Sequence, residues 1–189
     1  MSDSHAARFD PNERIRLFIG LRVPADALEA LAAWQEEAFG RVRDVRIVPA
    51  QNVHVTLAFL GHRPAGELEP IARCLREAAA GASRPSLSVR RYRETRSVGM
   101  LVLEDEEERA TAFAGDLHEG LERLGVYERE RRPWLPHLTV LRFRQQPRLR
   151  PEPPDLGAFS PSEAAVYHSV LRRGGAQYEA LETVRLGGG

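Results

Sequence analysis

The sequence predicts an α+β fold of two pseudo-symmetric lobes, each of mostly antiparallel sheet flanked by helices, with a cleft between them. Three observations predict it. The apolar periodicity changes along the chain in the order strand, helix, strand, helix, two strands, helix, strand, two strands. The pattern histidine, any residue, threonine, apolar residue occurs twice, as His54-Val55-Thr56-Leu57 and as His137-Leu138-Thr139-Val140. Each copy sits in a strand-like run that follows a helix, so each half of the chain supplies one, although the halves are not a clean sequence repeat.

Ile15, Leu17, Ile19, Leu21 and Val23 alternate with other residues, the period of a half-buried strand, and Pro24 ends it. Ala27, Leu28, Leu31, Trp34 and Ala38 trace one face of a helix over 25–39, which Gly40 can stop. A short extended piece at 45–48 leads to the strand 53–60, where Val53, Val55, Leu57 and Phe59 share the apolar face. His54, Thr56 and Ala58 therefore take the other face. A second helix is expected over 67–79, with Cys74 among Leu68, Ile71 and Leu75 as a small buried residue. Strands at 86–93 and 97–103 read as antiparallel neighbours across Glu94-Thr95-Arg96. Phe113, Leu117, Leu121 and Leu124 make the stripe of a helix over 106–124, closed by Gly125, with His118 beside the stripe as a structural or exposed residue. The second motif opens the strand 137–144. Residues 145–161 carry Pro147, Pro151, Pro153, Pro154 and Pro161 and are too proline-rich to join a sheet. Strands near 165–171 and 178–186, turned by Gly174-Gly175, finish the domain. Residues 1–13 are expected to be flexible, 14–186 to form a single bilobal domain, and 187–189 to be a disordered tail.

Composition narrows the function. A chain of 189 residues buries roughly 70% of its unfolded surface, enough for one substantial core. With 42% apolar and 29% charged residues it is an ordinary globular sequence. No apolar run approaches the ~18 residues of a membrane span, and the polar start is unlike a signal sequence, so a cytoplasmic monomer with no membrane and no obligate protein partner is expected. The single cysteine excludes an intramolecular disulfide and a cysteine-based zinc site. All 27 basic residues are arginine, which rules out lysyl-adenylate, Schiff-base and lysine-dependent phosphate-loop chemistry. Net charge is zero, so the whole molecule exerts no long-range pull on nucleic acid. Arginines nevertheless cluster at Arg90, Arg91, Arg93 and Arg96, and around the second motif from Arg129 to Arg150.

Residues two apart on a strand project to one side, so each motif aims an imidazole and a hydroxyl at one place. Imidazole exchanges protons near neutral pH, and two imidazoles can divide the acid and base roles that metal-free phosphodiester hydrolysis requires. His54 and His137 are thus the candidate catalytic residues, and Thr56 and Thr139 the candidate phosphate ligands. No cofactor and no metal are expected.

The segment from Val48 to Gly61 closely resembles the first signature of the two-histidine (2H) phosphoesterases, in the branch of RNA 2′,3′-cyclic phosphodiesterases also called 2′-5′ RNA ligases. Pro136 to Arg142 is similar to the second signature, with Val140 where the family often has leucine. Arg16 to Pro24 and Ser169 to Leu181 are also similar, so the resemblance spans nearly the whole chain. It implies metal-free opening of a 2′,3′-cyclic phosphate at an RNA end to leave a 2′-phosphate, with reverse 2′-5′ joining in some members. RNA with such an end, or a small cyclic nucleotide, is then the expected substrate. By position, His54 and His137 would be acid and base, with His54 favoured as the acid, and the two threonines would bond the non-bridging oxygens. Arg142 matches a basic residue after the family's second motif, yet strict alternation turns it away from His137 unless a bulge intervenes. Tyr178 is placed to stack on a base or bond phosphate, or simply to pack on its strand. Phe59 reads as core, His62 as a loop residue near the site, and His5 and His168 as incidental.

Two other readings start from the same residues. A module that binds RNA ends or cyclic nucleotides without chemistry would use the same cleft. A metal-dependent phosphoesterase would recruit His54, His62 and His137, but each motif offers one good ligand and has threonine where a carboxylate or third histidine is expected.

Overall fold

The computed structural model describes residues 8–173 and 175–187. His5 and the rest of the start before Arg8, Gly174 of the last turn, and 188–189 of the tail lie outside them. The elements are β1 (Arg14–Arg22), α1 (Ala25–Phe39), β2 (Val45–Ile47), β3 (His54–Pro64), α2 (Leu68–Ala80), β4 (Ser86–Glu94), β5 (Val98–Glu106), α3 (Arg109–Arg123), β6 (His137–Phe143), β7 (Glu163–Arg172) and β8 (Gly175–Arg185). They follow the order read from the sequence. The lobes are not two separate sheets, however. All eight strands are bonded into one, in the order β4-β5-β6-β3-β1-β7-β8, with β2 added beside β6. Every pairing is antiparallel.

The lobes join where β3 meets β6, through the single pair Val55↔Leu138. One ladder pair is weak by itself; both side chains are fully buried, and burial of residues this size contributes roughly 1.5–3 kcal/mol each. Side chains bridge the parting on either side. The Trp134 indole donates to the Thr56 carbonyl at 3.0 Å. The Gln35 amide, buried on α1, donates to the carbonyls of Val140 at 2.8 Å and Val48 at 3.1 Å. The core continues on this face through Leu17, Ile19, Leu57, Leu75, Leu117 and Val140.

α3 begins three residues later than its hydrophobic pattern suggests, because Asp105 caps it. Its carboxylate accepts from the Ala110 and Thr111 amides and the Thr111 hydroxyl, while Glu107 and Glu108 turn with positive φ. The helix ends in a Schellman motif. Gly125, at φ +70, lets the Val126 amide reach the Leu121 carbonyl and its own amide reach Glu122. The segment 8–13 is tied to the fold, since the Pro11 and Glu13 carbonyls accept from Gly66 and Ala65 and Arg8 pairs with Glu179 at 2.7 Å. The proline-rich segment contributes one isolated bridge, Leu87↔Phe159. No helix among the described residues is long and apolar enough to cross a membrane.

Candidate active site

Val55 and Leu138 point into the core, so alternation turns His54 and Thr56 of β3, and His137 and Thr139 of β6, to the opposite face. The pair lies at the centre of both motifs. Antiparallel register then sets His54 across from Thr139 and Thr56 across from His137, about a local two-fold axis through Val55↔Leu138. The two histidines are diagonal neighbours, a relation that in a regular ladder separates Cβ atoms by about 7–8 Å. The structure thus brings together the four motif residues that the sequence places 83 positions apart in two pairs.

The symmetry extends to the tautomers. Nδ1 of His54 lies 2.9 Å from the Asn52 carbonyl, and Nδ1 of His137 lies 2.8 Å from the Leu135 carbonyl. A carbonyl only accepts, so each Nδ1 carries the hydrogen and each Nε2 is left as the reactive nitrogen. Asn52 is itself held by its amide donating to the Ala176 carbonyl at 2.8 Å.

Matching irregularities follow both motifs. In β3 the register against β1 slips so that Leu57 is skipped, and in β6 the register against β5 slips at Val140. Each bulge shifts the alternation by one residue. Phe59 is therefore turned out of the core, contrary to the period-two reading, and is 51% exposed. Arg142 is turned by the second bulge onto the face of His137, the condition that strict alternation denied it. Phe59 and Arg142 each lie five residues after their histidine and are symmetry equivalents. The displaced carbonyls are satisfied from beneath: Leu57 by the buried Nε2–H of His118 on α3 at 2.7 Å, and Val140 by Gln35 on α1. His118 thus supports the first bulge and is not exposed. His62 is a residue of β3 paired with Arg16, not a loop residue.

The chemistry of the two lobes differs. Around His54 the face is aromatic. Phe18 stacks on His54 at 4.6 Å and on Tyr167 at 4.9 Å, and Tyr178 stands edge-on to Phe18 at 4.8 Å and to His54 at 5.4 Å. Tyr178 is therefore at the site. Phe59 stacks with Phe18, and the Arg16 guanidinium lies 4.9 Å over its ring. Around His137 the face is basic. Arg46 of β2 is paired directly with Arg142 of β6, and like charges directly opposed are destabilising without an anion to share. Among the described residues neither guanidinium has a carboxylate partner.

This surrounding sets the proton affinity of His54. Burial against the aromatic face, and secondarily the charges of His137 and Arg142, push its pKa down to about 4 despite the raising effect of the Asn52 carbonyl. The free protein therefore holds His54 neutral at pH 7. Among the described residues no group of three or more histidine, cysteine, aspartate or glutamate side chains is arranged to hold a metal ion.

Gly20 permits the stacking. It pairs with Thr56, and a Cβ there would lie 3.1 Å from Cδ2 of His54 and 3.1 Å from the Val55 carbonyl oxygen. The backbone oxygen cannot yield easily, so the imidazole must. Gly20→Ala is expected to lower kcat roughly tenfold, since small misplacements of reacting groups are costly, with little change in Tm. Steady-state kinetics alongside thermal unfolding checks this.

Sequence reading missed Phe18, Tyr167, Phe59, Arg46 and Arg16. The first and last were within reach, because the alternation of Ile15, Leu17, Ile19 and Leu21 already puts Arg16, Phe18 and Gly20 together on the other face of β1.

Residues 21–96 match the family described as LigT like Phosphoesterase. An RNA 2′,3′-cyclic phosphodiesterase of Escherichia coli (strain K12) is 27% identical over 90% of this chain and 96% of its own. The chain is similar to the LigT-like phosphoesterases over that segment and to this relative over most of its length. Another RNA 2′,3′-cyclic phosphodiesterase, from Geobacillus stearothermophilus, is 27% identical over 85% of this chain, which spans only about half, 54%, of that longer protein. The crystal structure of E.coli LigT complexed with 3′-AMP superposes with a TM-score of 0.79 at 26% identity, covering 92% of this chain and 99% of that one. As a LigT-like fold, the curled antiparallel sheet with its helices is what the sequence predicted.

Proposed function

We propose that this LigT-like phosphoesterase opens 2′,3′-cyclic phosphates at RNA ends by attack of water, leaving a 2′-phosphate, with His54 and His137 as the proton-transfer pair. The observation that carries the reading is the two-fold arrangement of two Nδ1-fixed imidazoles and two threonine hydroxyls around the Val55↔Leu138 pair. The names and coverage of the relatives support the substrate class.

In this reading the phosphate sits between the imidazoles. Water forms the new P–O bond while Nε2 of His54, neutral in the free protein, takes its proton; the P–O3′ bond breaks and Nε2 of His137 delivers a proton to O3′. The low proton affinity of His54 reverses the order expected from the sequence, since a neutral Nε2 can accept a proton and has none to deliver. Charge grows on the non-bridging oxygens in the transition state. The Thr56 and Thr139 hydroxyls and the Arg142 fork are preorganised to receive it. The same step with the 5′-hydroxyl of a second RNA at the water position, its proton taken by the base as P–O3′ breaks, would give a 2′-5′ linkage. None of these steps calls on a metal ion, and turnover that survives exhaustive chelation is expected; complete loss on chelation would favour the metal-dependent alternative. The direct test follows the end group of an oligoribonucleotide carrying a 2′,3′-cyclic phosphate. Conversion to the 2′-phosphate is expected, and tight binding with unchanged ends would favour a binding module.

The pH dependence follows from the shifted histidine. As the base, His54 must be neutral, and it binds its proton only near pH 4. The acid limb of kcat/KM, which reports the free enzyme, should therefore lie near 4 and not in the usual histidine range; a limb between 6 and 7 would contradict the burial of His54. The same shift affects stability. His54 binds its proton at about 4 when folded and about 6.5 when unfolded, so between these values the unfolded chain carries more protons. Its contribution is complete above pH 6.5 and is lost as pH falls through the window, by on the order of 2–3 kcal/mol. Denaturant titrations at pH 7 and pH 4.5 give the control for the rate profile.

A further inference from the structure

The pairing of β4, β5 and β6 carries the site's face beyond the catalytic groups. Arg91 pairs with Val102, and Val102 with His137; Arg93 pairs with Met100, and Met100 with Thr139. Residues directly paired across strands share a face, so Arg91 and Arg93 stand in the same rows as His137 and Thr139, two strands and roughly 10 Å away. Tyr92 and Leu101, in the alternate row with Leu138, point to the core. Val102 and Met100 form a buried apolar floor between the arginines and the site.

The edge of β4 opens into a groove of about 370 Å³, lined by Arg91 and Arg93 on the strand and by Arg148 and Arg150 of the proline-rich segment. That segment is held in place. The Glu94 carboxylate accepts from the Tyr92 hydroxyl and from the amides of Arg148 and Leu149, and Arg148 adopts φ +59. Glu94 is thus occupied with the backbone that presents the arginines. Glu104, on the site's face of β5, is paired with Arg90 at 3.6 Å. Among the described residues none of Arg91, Arg93, Arg148 and Arg150 is in an ion pair. Four exposed guanidiniums without counterions, in line with a phosphate-handling site, suit a polyanion whose charges recur along a chain.

We propose that Arg91, Arg93, Arg148 and Arg150 form a track for the phosphodiester backbone of RNA upstream of the reacting end. The terminal nucleoside lies against the aromatic lobe of Phe18, Tyr178 and Phe59, and the chain leaves across β6, β5 and β4 to the groove. The substrate class is then an oligoribonucleotide or longer RNA, not a free cyclic mononucleotide. This rests on the cyclic-phosphodiesterase reading above.

The test compares two substrates, an oligoribonucleotide of several residues ending in a 2′,3′-cyclic phosphate and 2′,3′-cyclic AMP. For the double variant Arg91→Gln/Arg93→Gln, KM for the oligonucleotide should rise about tenfold at low salt, and the slope of log KM on log salt should fall by about 0.7 for each phosphate that is no longer neutralised. Kinetics on cyclic AMP should stay at the wild-type level. Arg90→Gln, which removes a charge already paired with Glu104, should leave both substrates unaffected. Parallel changes on both substrates, or no change on either, would overturn the track. If the wild-type protein turns over neither substrate, the catalytic reading fails, and the track is judged by binding of a 3′-hydroxyl oligoribonucleotide: affinity lowered in the double variant supports it, and unchanged affinity rejects it.

Discussion

Alanine at His54 or at His137 is expected to lower kcat for opening of the cyclic phosphate by about two to four powers of ten. In the proposed mechanism each imidazole moves one of the two protons that the reaction requires, and no neighbouring group would replace it. Tyr178 and Tyr167 are the nearest titratable side chains on the aromatic lobe, and burial raises the affinity of Tyr167 for its proton. Because the two histidines act as one unit, the double variant should be scarcely worse than the poorer single one. His54→Ala also removes a ring stacked on Phe18, which adds local collapse as a second source of rate loss. His54→Gln, which retains side-chain volume, separates the two causes: an equal rate deficit with native near-ultraviolet circular dichroism identifies lost proton transfer. Wild-type turnover by either alanine variant would defeat the mechanism.

Thr56→Val and Thr139→Val should each cost about two to three powers of ten in kcat. The change keeps shape and removes one hydroxyl, so it tests a hydrogen bond and not packing. Thr56 sits across from His137 and Thr139 across from His54 about the Val55↔Leu138 pair, which directs each hydroxyl to the oxygens of a phosphate lying between the rings. A donor that acts mainly on the developing charge lowers kcat and kcat/KM together with KM little changed. Serine in either position should recover much of the rate. A rise in KM at constant kcat would instead make the threonines ground-state ligands.

The fold and the four motif residues were legible because period-two and period-3.6 patterns report on burial, and burial is decided mostly by local sequence. Helices α1 and α2 match the residues that their apolar stripes mark. What escaped was the consequence of the bulges. A bulge depends on where an extra residue can be accommodated and its carbonyl satisfied. The partners are distant in sequence: His118 for Leu57, Gln35 for Val140, Trp134 for Thr56. No window along β3 contains that information, so Phe59 read as core although it is exposed on the site's face. Arg142 is marked in the sequence only by the family resemblance, and the slip at Val140 supplies the physical reason. Joining the lobes through one ladder pair was equally hidden, since a single bridge leaves no periodic trace.

The two-fold arrangement also explains how one fold supplies unlike subsites. Phe59 and Arg142 occupy equivalent positions after equivalent bulges, yet one offers a stacking face and the other a forked cation. In the proposed reaction the symmetric part of the site handles protons and phosphate oxygens, which are themselves arranged symmetrically about phosphorus. Under the same proposal the asymmetric part distinguishes the nucleoside from the phosphodiester chain.

The central claim is that both Nε2 atoms address one phosphorus, and a crystal structure of the protein with orthovanadate measures it most directly. The expected result is a single ion with Nε2 of His54 and Nε2 of His137 each within hydrogen-bond distance of its oxygens, on opposite sides, and the Thr56 and Thr139 hydroxyls on the remaining ones. An ion held by one histidine alone, or two ions each held by a different histidine, would contradict it.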